Sequence, residues 1–126
     1  MNSSDKLDQM LFLRERFMSA LKEKNNSVLP EWPVDVTSKE SQQVLRETVL
    51  KGVEEMFEAL GHLKNWKPHR ETEITDFDHE EFLEEFVDGM NYFLSVLVLL
   101  GHNSEDLFRV YKKKDQIIHD RIRRGY

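Results

Sequence analysis

Val53-Glu54-Glu55-Met56-Phe57-Glu58-Ala59-Leu60 and, further along, Phe82-Leu83-Glu84-Glu85-Phe86-Val87-Asp88-Gly89-Met90 decide how this chain is read. Both stretches interleave apolar and acidic residues at helical spacing. Residues three apart lie one turn along the same helix face, so Glu55 pairs with Glu58 and Glu85 with Asp88. If the two helices pack face to face, four carboxylates converge. Such a cluster repels itself unless something neutralises it, and hard divalent cations such as Mg2+ take oxygen ligands of this kind. The acids stand beside Met56, Phe57, Phe86 and Val87, bordering the expected core, which favours a metal site. The plain alternative is an acid-rich solvated face, because Glu-x-x-Glu arises by chance in many helices.

Outward from these stretches the chain reads as helices joined by loops. Val44, Leu45, Val49, Val53, Met56, Phe57 and Leu60 trace one apolar face of a helix. Thr37-x-x-Glu40 predicts a capping box at its start, and its end falls between Gly61 and Pro68. Asp78-x-x-Glu81 caps the next helix, apolar at Phe82, Phe86, Met90, Phe93, Leu94 and Leu97, with Gly101 as its stop. Before them, Leu7, Met10, Leu11, Phe17 and Leu21 form a helix closing at Asn25-Asn26. Arg14 interrupts that stripe, either as an edge residue whose stem packs while its guanidinium reaches water or as a substrate contact. The stretch 27–35, with Pro30 and Pro33, is a loop anchored by Trp32. Ser104 opens a last helix through Leu107, Val110, Tyr111, Ile117 and Ile118. No β-alternation or hairpin turn appears. The expected architecture is all-α, an antiparallel four-helix bundle forming one domain over residues 1–126. Val96–Leu100 is expected to be left with little cover, which predicts a homodimer or homotetramer.

Composition narrows the function. The chain has no cysteine, which excludes disulfides, thiolate zinc sites and cysteine nucleophiles. The run from Tyr92 to Leu100, interrupted by Ser95, falls short of the roughly 20 residues that cross a bilayer, and no apolar signal-peptide core follows the first residues; a cytoplasmic protein without membrane contact is expected. A net charge of −6 argues against general nucleic-acid binding. The average hides a polarity: residues 71–90 hold nine Asp or Glu and no Lys or Arg, whereas residues 109–126 hold seven Lys or Arg against two Asp. One end suits a cation and the other a polyanion, unless the two are simply solvated faces that attract each other. His62, His69, His79, His102 and His119 show no paired ligand spacing for zinc. Neither a phosphate-binding Gly-rich loop nor a serine nucleophile elbow is present. Trp32 and Trp66 read as packing residues before base-stacking ones.

Taken together, Glu55-x-x-Glu58, then 26 residues, then Glu85-x-x-Asp88 resembles the signature of the all-α nucleoside triphosphate pyrophosphatases, which include the MazG proteins and the dimeric dUTPases. Leu63-Lys64-Asn65-Trp66-Lys67-Pro68 looks like the Lys-x-Trp segment of dimeric dUTPases and phage dCTPase/dUTPases, and residues 82–93 resemble their second acidic helix. Tyr111-x-x-Lys114 through Arg121-x-x-x-Gly125-Tyr126 is similar to their closing phosphate-binding motif. The resemblance covers roughly residues 7–126. It implies a Mg2+-dependent deoxynucleoside triphosphate diphosphatase acting on dUTP, or on dCTP, with Mn2+ able to substitute for Mg2+. Glu55, Glu58, Glu85 and Asp88 would bind the metal, with Glu55 also the general base. Lys114, Arg121 and Tyr126 would hold phosphate oxygens, while Lys64, Trp66 and Asn91 would contact the nucleotide. This chain departs from the pattern at Arg14, where these dUTPases place Gln, at Asn91, where they place His, and at Asp115 or Ile118, where they place Asn; uracil specificity is not implied. Counting back from Lys64 and Trp66 in some relatives sets the first metal glutamate at Gly52. The alternatives are a MazG-like enzyme for another or a modified nucleotide, and a catalytically silent helical binding module.

Overall fold

The computed structural model describes residues 5–24 and 29–125, and among them it is all-helical. In chain order it contains α1 (Lys6–Lys24), α2 (Lys39–Leu60), α3 (His79–Leu100) and α4 (Ser104–Arg123). Asn25, Asn26 and Tyr126 lie outside the described residues.

Each helix start is built from a short polar side chain that accepts from backbone N–H groups otherwise left without partners. Asp5 Oδ1 accepts from the N–H groups of Leu7 (2.8 Å) and Asp8 (3.2 Å) ahead of α1. Asp78 takes the expected position before α3, accepting from Glu81 N–H. α4 starts at Ser104 as expected, and Asn103 just before it closes a reciprocal capping box with Asp106. The expected cap at Thr37 is corrected to Ser38, whose Oγ accepts from Ser41 N–H at 3.1 Å. Thr37 is unavailable because its hydroxyl and N–H both donate to Asp35 Oδ1, at 2.7 and 3.1 Å. α3 stops where expected, at Gly101, whose φ of 79° is the left-handed conformation that ends helices.

α3 is the central element. α2 and α1 each pack against it, and both run antiparallel to it: along α2, Gly52, Met56 and His62 meet Phe93, Gly89 and Glu85 in turn. The core joins Leu11 and Met18 of α1 to Leu94, Val98 and Leu99 of α3, with Trp32, Val34, Val44 and Leu45 packed around them. Met18 and Leu99 are fully enclosed, and side chains of this size in such a setting contribute about 2–5 kcal/mol each. Val34 N–H donates to Leu99 C=O at 2.9 Å, pinning the 29–38 connection across the end of α3.

The face that α2 turns inward keeps only part of the apolar stripe expected of it, at Val44, Leu45 and Met56. Its fully buried residues are Ser41, Gly52 and Ala59, while Val49, Val53, Phe57 and Leu60 are exposed. Small residues win that face because α2 lies so close to α3. Val96–Leu100, expected to lack cover, contains two of the most buried residues of the chain, Val98 and Leu99, because α1 and the 29–38 connection lie over it. The uncovered apolar surface is instead on the outer sides of α2 and α3, along α4, and on α1, where Met10, Phe17 and Leu21 of the expected inward stripe are exposed together with Phe12 and Leu13. Among the described residues α4 packs only on α1, and the rest of it stands clear of α2 and α3. No helix is long and apolar enough to cross a membrane among the described residues.

Candidate active site

Because α1 and α2 both pack on α3 but not on each other, a cleft of about 510 Å3 opens between them. Thr48, Lys51 and Glu55 form the α2 wall. Arg14, Phe17, Met18 and Leu21 form the α1 wall, and Asp88, Asn91, Tyr92, Ser95 and Leu99 of α3 make the floor. Thr48 returns its hydroxyl to Val44 C=O at 2.7 Å.

Of the four predicted carboxylates, Glu55 and Asp88 line one end of this cleft, whereas Glu58 and Glu85 lie outside its lining, and among the described residues no three of the four bring oxygen atoms within 4.8 Å of one another. Glu55 is half-buried, and its carboxyl is held above the usual carboxylate range, first by burial and then by the charges of Glu58, Asp88, Glu54 and Glu85. The acids of α2 and α3 thus act on one another across the interface. What sets their approach is the contact of Gly52 with Gly89: a Cβ on Gly89 would stand 3.0 Å from Gly52 O, and one on Gly52 would stand 2.6 Å from Phe93 Cε1. Gly52 therefore occupies the crossing point, where a metal-binding carboxylate has no room.

Glu85 has a second partner. Its Oε2 lies 2.8 Å from His62 Nε2, both side chains being half-buried. His62 is wedged edge-on between Phe77 and Phe82. Ligand atoms of His62, Glu81 and Glu85 come within 4.8 Å of one another. His62 has no His partner at ligand spacing, yet it follows the end of α2 by two residues and Glu58 by four, which brings it to Glu85. Thr48, Lys51, Tyr92 and Ser95 were also passed over, since nothing in their types or spacing marks a cleft.

The remaining expected contacts are distributed differently. Asn91 lines the cleft one turn beyond Asp88. Lys64 and Trp66 lie in the connection after α2, outside the cleft lining, and both are exposed. Trp66 is 68% exposed, with the Lys67 ammonium 5.8 Å from its ring centre, so it is not a packing residue. Trp32 is one: it joins the core and donates its indole N–H to Glu15 Oε2 at 2.9 Å. The connection around Trp66 is tied by Asn65, whose Oδ1 accepts from Thr72 N–H at 2.9 Å. Lys114 and Arg121 are exposed on α4, away from the carboxylates of the same chain.

The donor set suits a hard divalent cation. Glu55, Glu58, Glu85 and Asp88 offer oxygen atoms only, Glu55 and Glu85 from half-buried positions and Glu58 and Asp88 from exposed ones. Compared with models of protein families, with characterised proteins and with solved structures, the chain matches none.

Proposed function

We propose that this chain is a Mg2+-dependent deoxynucleoside triphosphate diphosphatase, converting dUTP or dCTP to the monophosphate and pyrophosphate. The observation that carries the reading is the placing of Glu55 on the α2 wall and Asp88 on the α3 floor of one cleft large enough for a nucleoside, with Glu58 and Glu85 near enough to help raise the Glu55 carboxyl. The resemblance of the two acidic helices to the all-α nucleoside triphosphate pyrophosphatases supports the same reading.

Glu55, Glu58, Glu85 and Asp88 would hold the metal, which when bound supplies charge neutralisation for the phosphates and a more acidic water. Glu55 is suited to accept a proton, because burial and like charges already favour its protonated form. His62 holds the Glu85 side chain oriented, and Glu85 would offer that carboxylate to the metal. Asn91, one turn from Asp88, is placed to position the sugar or phosphate with its amide. Phosphoryl chemistry depends mostly on positioning and charge.

Lys114 and Arg121 enter this reading from a second copy. The apolar residues Phe57, Leu83, Phe86 and Val87 beside the acids, and Phe108, Tyr111 and Ile122 beside the basic residues of α4, are exposed. A homodimer or homotetramer that covered both would join surfaces of opposite charge. The separation of α4 from the acids within one chain is also the observation that favours a silent binding module.

The test is pyrophosphate release from a panel of deoxynucleoside triphosphates with and without Mg2+. Metal-dependent release from a pyrimidine substrate is expected. Release confined to a purine or modified nucleotide would move the assignment to the MazG-like alternative. No release from any substrate would leave the silent module.

A further inference from the structure

Arg14 stands on an otherwise apolar α1 wall of the cleft, among Phe17, Met18 and Leu21. Its Nε donates to Ser95 Oγ at 2.7 Å, and Ser95 is only 4% exposed. The guanidinium carbon lies 4.7 Å from the ring centre of Phe17 and 5.6 Å from that of Tyr92. One edge of the fork is therefore fixed, while its outer edge, carrying both terminal nitrogens, makes no hydrogen bond or ion pair among the described residues. An arginine keeps its proton in such surroundings, although burial lowers its pKa from the ordinary value. The terminal nitrogens remain open to solvent, so water serves them until a ligand offering two acceptors takes its place.

The position of the fork says which part of a ligand would do so. Ser95 and Asp88 are seven residues apart on α3, two turns or about 10 Å along the axis. That separation matches the reach from a base edge across the sugar to the first phosphate. The apolar side chains beside Arg14, with Phe17 and Leu21 exposed at the rim and Met18 and Leu99 buried beneath, offer a flat neutral heterocycle more contact than a phosphate, which would stand about two turns from the acids that would hold a cation.

We propose that Arg14 reads the base of the nucleotide and selects one presenting two adjacent acceptors: cytosine through O2 and N3, or guanine through O6 and N7. Uracil, thymine and adenine have no adjacent pair of acceptors and can satisfy only one terminal nitrogen. This assignment rests on the diphosphatase reading and turns it away from dUTP. Paired contacts of this kind discriminate by roughly tenfold to a hundredfold.

Pyrophosphate release with Mg2+ from dCTP, dGTP, dUTP and dATP, compared by kcat/KM in the wild-type chain, Arg14→Gln and Arg14→Lys, tests the proposal. Dissociation constants for dCMP, dGMP and dUMP without metal give a second readout. The wild-type chain is expected to favour dCTP or dGTP over dUTP and dATP by roughly tenfold or more; dCTP in the lead keeps the pyrimidine assignment, and dGTP in the lead keeps the role of Arg14 while moving the enzyme to the MazG-like alternative. Arg14→Gln should erase that preference. Arg14→Lys keeps the charge but not the fork, and should erase it too. Hydrolysis with dUTP preferred, or with a preference unchanged in Arg14→Lys and Arg14→Gln, overturns the role of Arg14 and leaves the diphosphatase standing. Absence of hydrolysis from every substrate overturns both.

Discussion

Gly89→Ala puts the approach of α2 and α3 under direct test. The new methyl would lie 2.9 Å from Met56 Cε, 3.1 Å from Met56 Cγ and 3.0 Å from Gly52 O. Methionine is flexible enough to swing aside. The Gly52 carbonyl is main chain inside α2 and yields only if the helix moves. Alanine in place of glycine within a helix is intrinsically favoured by about 1 kcal/mol, whereas forcing a methyl into a filled interface costs about 1–3 kcal/mol. At the middle of these ranges the balance is a net loss of about 1 kcal/mol, or a fall in Tm of roughly 3–6 °C for a chain of this size. Gly61→Ala is the internal control: its methyl meets only the carbonyl of Glu58 in its own helix, at 3.1 Å, so no other helix has to move. Thermal melts followed by circular dichroism compare the two. Because Asp88 adjoins Gly89, a displaced α2 should also weaken binding of divalent cations. A Gly89→Ala chain as stable as wild type, with unchanged metal affinity, would refute the close crossing from which the site is built.

Three further outcomes are expected. Glu58→Gln and Asp88→Asn should each lower kcat by about a hundredfold or more while leaving the metal-free fold intact; normal turnover in both would remove these residues from the site. Lys114→Ala should raise KM about tenfold by deleting one charge-assisted contact to phosphate, with kcat little changed, and an unaltered KM would detach α4 from substrate binding. The raised Glu55 carboxyl binds its proton more tightly in the folded chain than in the unfolded one. Its contribution to stability is thus present below the ordinary glutamate pKa and is lost as pH rises through the raised value. The metal-free wild type should therefore gain Tm relative to Glu55→Gln on acidification from about pH 7 to pH 4. A Tm difference independent of pH would contradict the crowding of these acids.

The helices were legible because their signals are local. Asp78 and Gly101 mark the limits of α3 through backbone groups within a turn of themselves, and the acidic spacing on α2 and α3 needs only helical periodicity. Facing was not legible on α2. Its larger apolar residues Val49, Val53 and Phe57 suggested an inner side, yet close packing with α3 selected Gly52 and Ala59, a preference that depends on the partner helix. The same applies to Thr37, diverted by Asp35 two residues earlier. Of the site, Glu55, Asp88 and Asn91 could be foreseen on the cleft, while Thr48, Tyr92 and Ser95 could not, because a cleft between helices that do not touch each other leaves no mark in either one. The basic residues of α4 were easily read as a charge run, but their distance from the acids is a property of the whole chain.

Binding of Mn2+ followed by electron paramagnetic resonance tests the metal site most directly, since the free ion gives a sharp signal that is lost on coordination. Titrating Mn2+ into the wild-type chain should remove that signal saturably, with competition by Mg2+, and the double substitution Glu58→Gln with Asp88→Asn should leave the free-ion signal intact. Equal signal in the two proteins across the titration would mean that the carboxylates of α2 and α3 do not share a cation.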